Sequence, residues 1–598
     1  MSILVGNVIA VHGTKIVLKI DEQSSKETLF HGGEKYKGVS IREYVSIQRG
    51  FRDIICMVEG EYLDETRVDS SNGRPTFIRK VEARPIGFID QTGFVQGIKY
   101  LPMIRDQAYL LTEEKIRSIF DRRSHGDLRI GRMLKEEIPV GLPWRKLFNG
   151  HIGIFGNTGS GKSNTLAKLF SALFELKLPV MADKSRFIVL DFNGEYGDEQ
   201  LAASEHKTVY RLSTQVNPDP NDPRARFHLA LSEFWELETM SLLFQATSNT
   251  QRPFLNRVIT GKIRFGANPN SLTSFIKAKF RQSFCAGEVK PATLDLMRGV
   301  AKMLGNQAIV DLLANVTYYR NLGRFKYGNS FIDPNGVQYD DSIAPIVDAL
   351  DVVIDDEFDQ LLIRANLQLI SDLNSGYVQF DHIQPLLKRV ESSITSLRKI
   401  LVIAEAAPQE RTITVVSMRR CNNEIKKVLP LLLAKHYYTS HRASVSNPPD
   451  RTIHLIIDEA HNILSEQSSR ESETWKDYRL EQFEEIIKEG RKFGVFITIA
   501  SQRPADISPT IVSQLHNFFI HRLVNDRDLY LVDNTISTLD SLSRGLIPGL
   551  SQGCCVVTGT AFQLPMIIQV DRLPSEKQPA SEDVDLERLW SPAAAVDG

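Results

Sequence analysis

Gly156-Asn157-Thr158-Gly159-Ser160-Gly161-Lys162-Ser163 matches G-x-x-x-x-G-K-S in full. Glycines let such a run turn tightly, so successive backbone N–H groups converge on an anion. The apolar run Ile152-Gly153-Ile154-Phe155 precedes it, and a helix-forming stretch through Leu169 follows. An anion held there also meets the positive end of a helix. Lys162 is placed to reach the outer phosphates of a nucleoside triphosphate, and the Ser163 hydroxyl is a ligand for Mg²⁺. With Asn164 just behind, residues 156–164 imply a site for ATP and Mg²⁺.

Hydrolysis needs more than a phosphate cradle. Ile453–Ile457 is an apolar strand that ends in Asp458-Glu459. Carboxylates at the C-terminal end of a buried strand stand where open α/β sheets bind ligands. Asp458 is assigned to Mg²⁺ through water, and Glu459 to polarising the attacking water. Gln502 follows the strand Val495–Ala500, and reads as a γ-phosphate sensor or as a polar strand cap. Before that strand, a helix carries Leu480, Phe483, Ile486 and Ile487 on one face and ends in Glu489-Gly490-Arg491-Lys492-Phe493-Gly494. Arg491 has two readings: a cation placed to suit a helix C-terminus, or an arginine finger serving a neighbouring subunit. Asp458-Glu459-Ala460-His461 also spells the DEAH box of one helicase superfamily. The separation of 296 positions from Lys162 to Asp458 is far longer than that arrangement uses, and a second lobe with QxxGRxxR is missing.

The elements that must position these residues can be read along the 598-residue chain. Short β-branched runs at Ile16–Ile20, Tyr44–Ile47, Ile54–Val58, Thr76–Val81 and Gly87–Ile89 predict a small β-barrel over 1–105. Residues 106–148 read as a connector, with a polar helix at Thr112–Phe120 and a charged, turn-rich stretch at Asp121–Lys135. Strand, phosphate loop, helix and the strand Phe187–Leu190 form a βαβ unit, so 149–231 begins a parallel sheet. From 232 to 405 the β signal fades, and Ile383, Leu386, Leu387, Val390, Ile394, Leu397 and Leu401 recur at helical spacing. Strands return in 406–574, at Ile413–Val416, Ile453–Ile457, Val495–Ala500, Phe518–Leu523 and Cys555–Val557. The tail, 575–598, is rich in Pro, Ser, Ala and Asp and reads as loose. The fold class is α/β: a RecA-like P-loop ATPase core with a helical insertion, preceded by the barrel.

Composition narrows the setting. Lys and Arg total 72 against 73 Asp and Glu, a net charge of −1, so no basic coat for nucleic acid surrounds the chain. A local basic channel is compatible with that balance. Five cysteines without a C-x-x-C pair imply free thiols in a reducing compartment, not a zinc ribbon. The start, MSILVGNVIAVHG, lacks the basic flank of a signal peptide, and no apolar run has the ~18 residues of a membrane helix. A cytoplasmic location without membrane contact is expected.

Together these segments resemble the HerA family of hexameric DNA translocases, within the wider HerA/FtsK ATPase group. The carriers are the phosphate loop, Asp191-Phe192-Asn193-Gly194-Glu195-Tyr196, Asp458-Glu459, the Arg491 segment and Ser501-Gln502-Arg503-Pro504. The resemblance implies a homohexameric ring with ATP between subunits and double-stranded DNA in the pore. Asp191 and Glu195 then lie near nucleotide or pore, and Arg491 acts in trans. Family members often carry an arginine before the histidine that opens the phosphate-loop strand, where this chain has Gly150-His151. Arg145 and Arg522 are candidate substitutes. Arg470, Lys476 and Arg479 fall where a pore loop would offer cations to phosphates, or where a solvated loop would carry them.

No nuclease or NADase constellation is visible, so that chemistry would come from an effector in trans. The resemblance offers a NurA-like nuclease in DNA-end processing, or another nuclease or a sirtuin-like NADase in antiphage defence. A ring that scaffolds and switches an effector is the alternative to a motor. A protein-remodelling ATPase is a third class, but no aromatic pore loop is evident for it.

Overall fold

The computed structural model describes residues 3–580, apart from 22–27, 32–33, 67–75, 92, 121–126, 136, 267, 269, 406 and 468–472, together with residue 590. Its first part is a closed antiparallel barrel of six strands. In order around the wall these are Lys15–Ile20, Leu4–His12, Gln107–Leu110, Tyr44–Arg49, Arg52–Thr66 and Thr76–Asp90, the last pairing back to the first. Val8, Leu18, Val45, Ile54 and Val58 fill the interior from alternate positions. Two corrections to the sequence reading follow. Thr76–Val81 and Gly87–Ile89 are one continuous 15-residue strand. The barrel also runs past 105, because Gln107–Leu110 closes it, and the helix Glu113–Phe120 packs Ile116 and Ile119 onto its flank.

The second part is built on an eleven-stranded sheet. Seven strands are parallel, in the order Asn517–Ile520, Ile152–Phe155, Val495–Ser501, Thr452–Ile457, Ser185–Asp191, Ile413–Arg420 and Lys207–Ser213. Both faces are covered, so inner strands such as Val495–Ser501 are buried throughout, whereas the edge strand Lys207–Ser213 keeps Arg211 exposed. Ile188 and Leu190 face one core, which holds the helices between 231 and 490. Phe187 and Val189 face the other, with Leu166, Leu169 and Phe170 of the helix Lys162–Met181.

Four antiparallel strands extend the sheet, in the order Cys554–Gly559, Met566–Val570, Leu128–Met133 and Pro139–Leu142. The last two correct the reading of Asp121–Lys135 as a turn-rich connector. Leu128, Ile130 and Met133 are buried while Arg129 and Arg132 are exposed, a one-face alternation that charge had disguised. Between Leu231 and Ile400 the chain is mainly helical, with one three-stranded antiparallel sheet at Val316–Phe331. The tail is also corrected up to Ala580, which is bound to the body of the protein: Lys577 pairs with Glu175 at 3.0 Å, and the Ala580 N–H donates to Glu195 O at 3.1 Å. Residues 581–589 and 591–598 lie outside the described residues.

Candidate active site

Four adjacent parallel strands end side by side and deliver the candidate residues. Gly156 follows Ile152–Phe155, Gln502 follows Val495–Ser501, Asp458 and Glu459 follow Thr452–Ile457, and Asp191 ends its own strand. The loop is tied down at both sides. The Gly156 N–H donates to Ser501 O at 3.2 Å and that of Asn157 to Arg522 O at 2.9 Å. Two glycines have steric reasons. A Cβ on Gly156 would stand 2.5 Å from His521 Cβ, and Gly161 has φ +105° with Gly553 Cα 2.9 Å from where a Cβ would go.

Lys162 and Glu459 are both buried, and Lys162 Nζ lies 3.3 Å from Glu459 Oε1. Glu459 sits at φ +49°, a left-handed conformation that a non-glycine residue holds only under constraint. Its second oxygen, Oε2, is buried without a hydrogen bond and lies 3.4 Å from His461 Nδ1. Burial, with Arg503 and Lys162 adding to it, lowers the His461 pKa to about 4, so the ring is neutral near pH 7 and the contact is not an ion pair. The same Nδ1 stands 3.4 Å from Ser501 Oγ.

Asp458 is fully buried. Its Oδ1 accepts from the Glu459 N–H at 3.0 Å, and its Oδ2 from the Tyr196 hydroxyl at 3.3 Å. Burial raises its pKa, with Lys162 opposing and Glu459 reinforcing the rise. Glu195 lies against Ser163 and accepts from Asn193 Nδ2 at 3.2 Å, while its Oε2 is buried without a partner. Burial, then Asp458, pushes its pKa up to about 7. Ser163, Asp458 and Glu195 therefore form an oxygen-rich, electron-rich pocket beside Lys162. Glu195 Oε2, a buried carboxylate oxygen left without a donor, fits a hard divalent cation such as Mg²⁺. Gln502 reaches the loop, its Oε1 accepting from the Thr158 hydroxyl.

Three candidate side chains are engaged in contacts within the protein. Asp191 is occupied within its own turn: its carboxylate accepts from the N–H groups of Gly194, Glu195 and Tyr196 at 2.7, 3.1 and 3.1 Å. It shapes the turn that presents Glu195. Asn164 turns away to hold the C-terminal segment, its amide lying 3.3 Å from both Asp571 O and the Leu573 N–H. Arg479 is only 2% exposed within the helix Glu473–Gly490 and donates to Ile463 O and Ser465 O, so it is not available to DNA phosphates. Lys476 is half-buried on the same helix, and Arg470 lies outside the described residues.

Arg491 is not at this end of the sheet. It opens a 3-10 turn, Arg491–Phe493, just before the strand whose far end carries Gln502, about 20 Å away at the usual strand rise. It is exposed, with Nη1 3.3 Å from His516 Nε2. His516 also fills the space beside Gly150, where a Cβ would come within 3.2 Å of His516 Cβ. Arg145 is exposed at this same end, whereas Arg522 stands at the phosphate-loop end and does not take Gly150's place. Sequence reasoning missed the Tyr196 hydroxyl, the His461 contacts and His521, a fully buried ring packed under the loop. His521 directly follows the short strand Asn517–Ile520, which carries no signal of that packing.

A glycine-rich loop between strand and helix, with strand-end carboxylates beside its lysine, defines a P-loop ATPase. The model of the HerA helicase central domain matches residues 128–295, beginning at the first residue of the Leu128–Met133 strand. The DNA double-strand break repair helicase HerA of Sulfurisphaera tokodaii is 24% identical over 499 residues, 82% of this chain and 78% of that protein. A probable helicase of Methanocaldococcus jannaschii is 22% identical over 566 residues, 92% of this chain and 89% of that one. Among solved structures, VirB4 of Thermoanaerobacter pseudethanolicus aligns at a TM-score of 0.40 and 12% identity, over 76% of this chain and 99% of that one. The chain is therefore similar to HerA helicases over most of its length, and it is an ATP-hydrolysing enzyme.

Proposed function

We propose that the protein is an ATP-driven motor on double-stranded DNA that works as a homohexameric ring. The observation that carries this reading is the separation of Arg491 from its own phosphate loop. An exposed arginine at the opposite end of the strand has no way to its own nucleotide, so it serves a neighbour's. Ring closure then completes each site in trans. ATP lies on Gly156–Ser163, with Lys162 on its outer phosphates. Ser163 and Asp458 hold Mg²⁺, which supplies charge neutralisation on the phosphates. Glu459 orients and polarises the water, Gln502 meets the γ-phosphate, and Arg491 of the adjacent subunit stabilises the charge developing in the transition state.

The helical stretch 232–405 is read as an insertion in the ATPase core, packed on one sheet face. The ring works in the cytoplasm and acts with an effector, a NurA-like or other nuclease or a sirtuin-like NADase, in DNA-end processing or antiphage defence. Light scattering at micromolar concentration and ATP turnover with and without duplex DNA test the reading. A hexamer whose turnover rises with DNA is the expected result. An intact ring indifferent to DNA would instead fit a scaffold that switches its effector, and a monomer turning over at full rate overturns the ring.

A further inference from the structure

Three helices of the helical stretch, Gln251–Phe265, Ser271–Phe284 and Glu357–Asn374, border a cavity of about 340 Å³. That is in the size range of small-molecule sites. Val258, Phe265 and Phe275 make much of the wall apolar. Arg364 also lines it and is only 6% exposed. A guanidinium keeps its proton inside a protein, so burying one is costly unless a counter-charge meets it.

Among the described residues no carboxylate forms an ion pair with Arg364 within 4 Å. Its Nε is buried without a hydrogen-bond partner, and its Nη2 reaches only Ser271 Oγ, at 3.4 Å. The carboxylate that acts on it is Glu357, already engaged by Trp235 Nε1 at 2.7 Å and Lys262 Nζ at 3.2 Å. Ser271 is also the first residue of a 14-residue helix, whose positive end favours negative charge at the same place.

We propose that this cavity binds a small organic carboxylate, its charged end on Arg364 and Ser271 and its apolar body against Val258, Phe265 and Phe275. One unpaired cation matches one negative charge. The planar fork of a guanidinium suits the two oxygens of a carboxylate, and the apolar wall suits a hydrocarbon or aromatic body better than a hydrated phosphate.

Titration calorimetry of the full-length protein with sodium benzoate tests this, with benzamide and sodium phosphate as controls. Benzoate is expected to saturate one site per chain, at least tenfold tighter than either control, and to raise the melting temperature. Arg364→Met keeps the length and removes the charge. It should weaken benzoate at least tenfold, and the ligand-free variant should melt no lower than wild type, because an unpaired buried charge is unfavourable. Gly261 lines the same cavity and nothing lies within 4 Å of a Cβ there, so Gly261→Leu adds bulk to the wall while keeping the Arg364 charge. It too should lose benzoate binding, and it decides the question if Arg364→Met does not fold. Benzoate binding no tighter than benzamide or phosphate overturns the proposal, as does wild-type affinity in either folded variant.

Discussion

Nζ of Lys162 stands 3.3 Å from Oε1 of Glu459, both side chains buried. The cation that must meet phosphate is held by the carboxylate that must meet water. On the proposed function, a bound triphosphate would compete with Glu459 for Lys162. Lys162→Ala removes the phosphate cation and leaves Glu459 buried beside Asp458, so nucleotide binding weakens and hydrolysis nearly vanishes. Steady-state turnover together with nucleotide titration checks it, and near-normal turnover refutes the site.

Glu459→Gln is expected to separate binding from chemistry. Ser163 and Asp458 remain, so Mg·ATP still binds, while water activation is lost and turnover falls. Equilibrium binding of ATP beside single-turnover hydrolysis reads both. A variant that cannot bind ATP would place Glu459 in the metal or structural framework.

His461 is expected to act through Glu459. Its Nδ1 lies 3.4 Å from both Glu459 Oε2 and Ser501 Oγ, and Ser501 directly precedes Gln502. The ring so joins the water-activating carboxylate to the segment that touches the phosphate loop. Misplacing a catalytic group by about an ångström costs on the order of 10²-fold. His461→Ala should lower kcat by about that factor with KM little changed, and His461→Asn should restore part of it. In a double-mutant cycle, Glu459→Gln with His461→Ala should be no slower than Glu459→Gln alone. Additive losses would detach His461 from Glu459.

Acid should destabilise the protein through His454. The ring is buried at the centre of the sheet, stacked at 4.6 Å and 9° on Phe187 and at 5.2 Å on Phe496. Burial, reinforced by His151, lowers its pKa from 6.5 to about 3. The unfolded chain therefore takes up a proton below pH 6.5 that the folded chain refuses until near pH 3. Stability from this group is whole above 6.5 and is lost as pH falls towards 3. His454→Phe keeps the stack and does not titrate, so it should retain about 2 kcal/mol more at pH 5, relative to pH 7, than wild type does. Urea unfolding midpoints at the two pH values measure this, and parallel losses in both proteins would exclude His454 as the sensitive group.

What the sequence showed and what it hid follow from burial. Phe187–Leu190 and Ile453–Ile457 sit in the parallel sheet with both faces covered, so they read as apolar runs with carboxylates at their ends. Leu128–Met133 has one solvent face, and its arginines masked the alternation. The candidate catalytic side chains stand out in the sequence because their types and local order would carry the chemistry. Their supports were not, because these act across distant segments: the Tyr196 hydroxyl reaches Asp458 over 262 positions, a pairing that no local pattern encodes. Arg479 lies in a charged stretch that reads as solvated, yet it is buried on the carbonyls of Ile463 and Ser465.

Arg491 provides the sharpest test of assembly. It lies at the end of the strand Val495–Ser501 opposite Gln502, with only a 3.3 Å contact to His516 Nε2 among its described hydrogen bonds. If it is a finger, Arg491→Ala keeps the ring and most of the ATP affinity but loses hydrolysis, because a trans cation stabilises the transition state more than the ground state. Fingers in other phosphoryl-transfer enzymes are worth about 10³–10⁵ in rate. A cation that only suits a helix terminus would be worth about 0.3–1 kcal/mol of stability and nothing in turnover. Mixing Arg491→Ala subunits with Lys162→Ala subunits separates trans from cis. Some interfaces in a mixed ring then pair an intact phosphate loop with an intact neighbouring Arg491, and these should regain hydrolysis unless every subunit must fire in sequence. Wild-type turnover by Arg491→Ala alone would refute the finger, and with it the observation on which the ring was built.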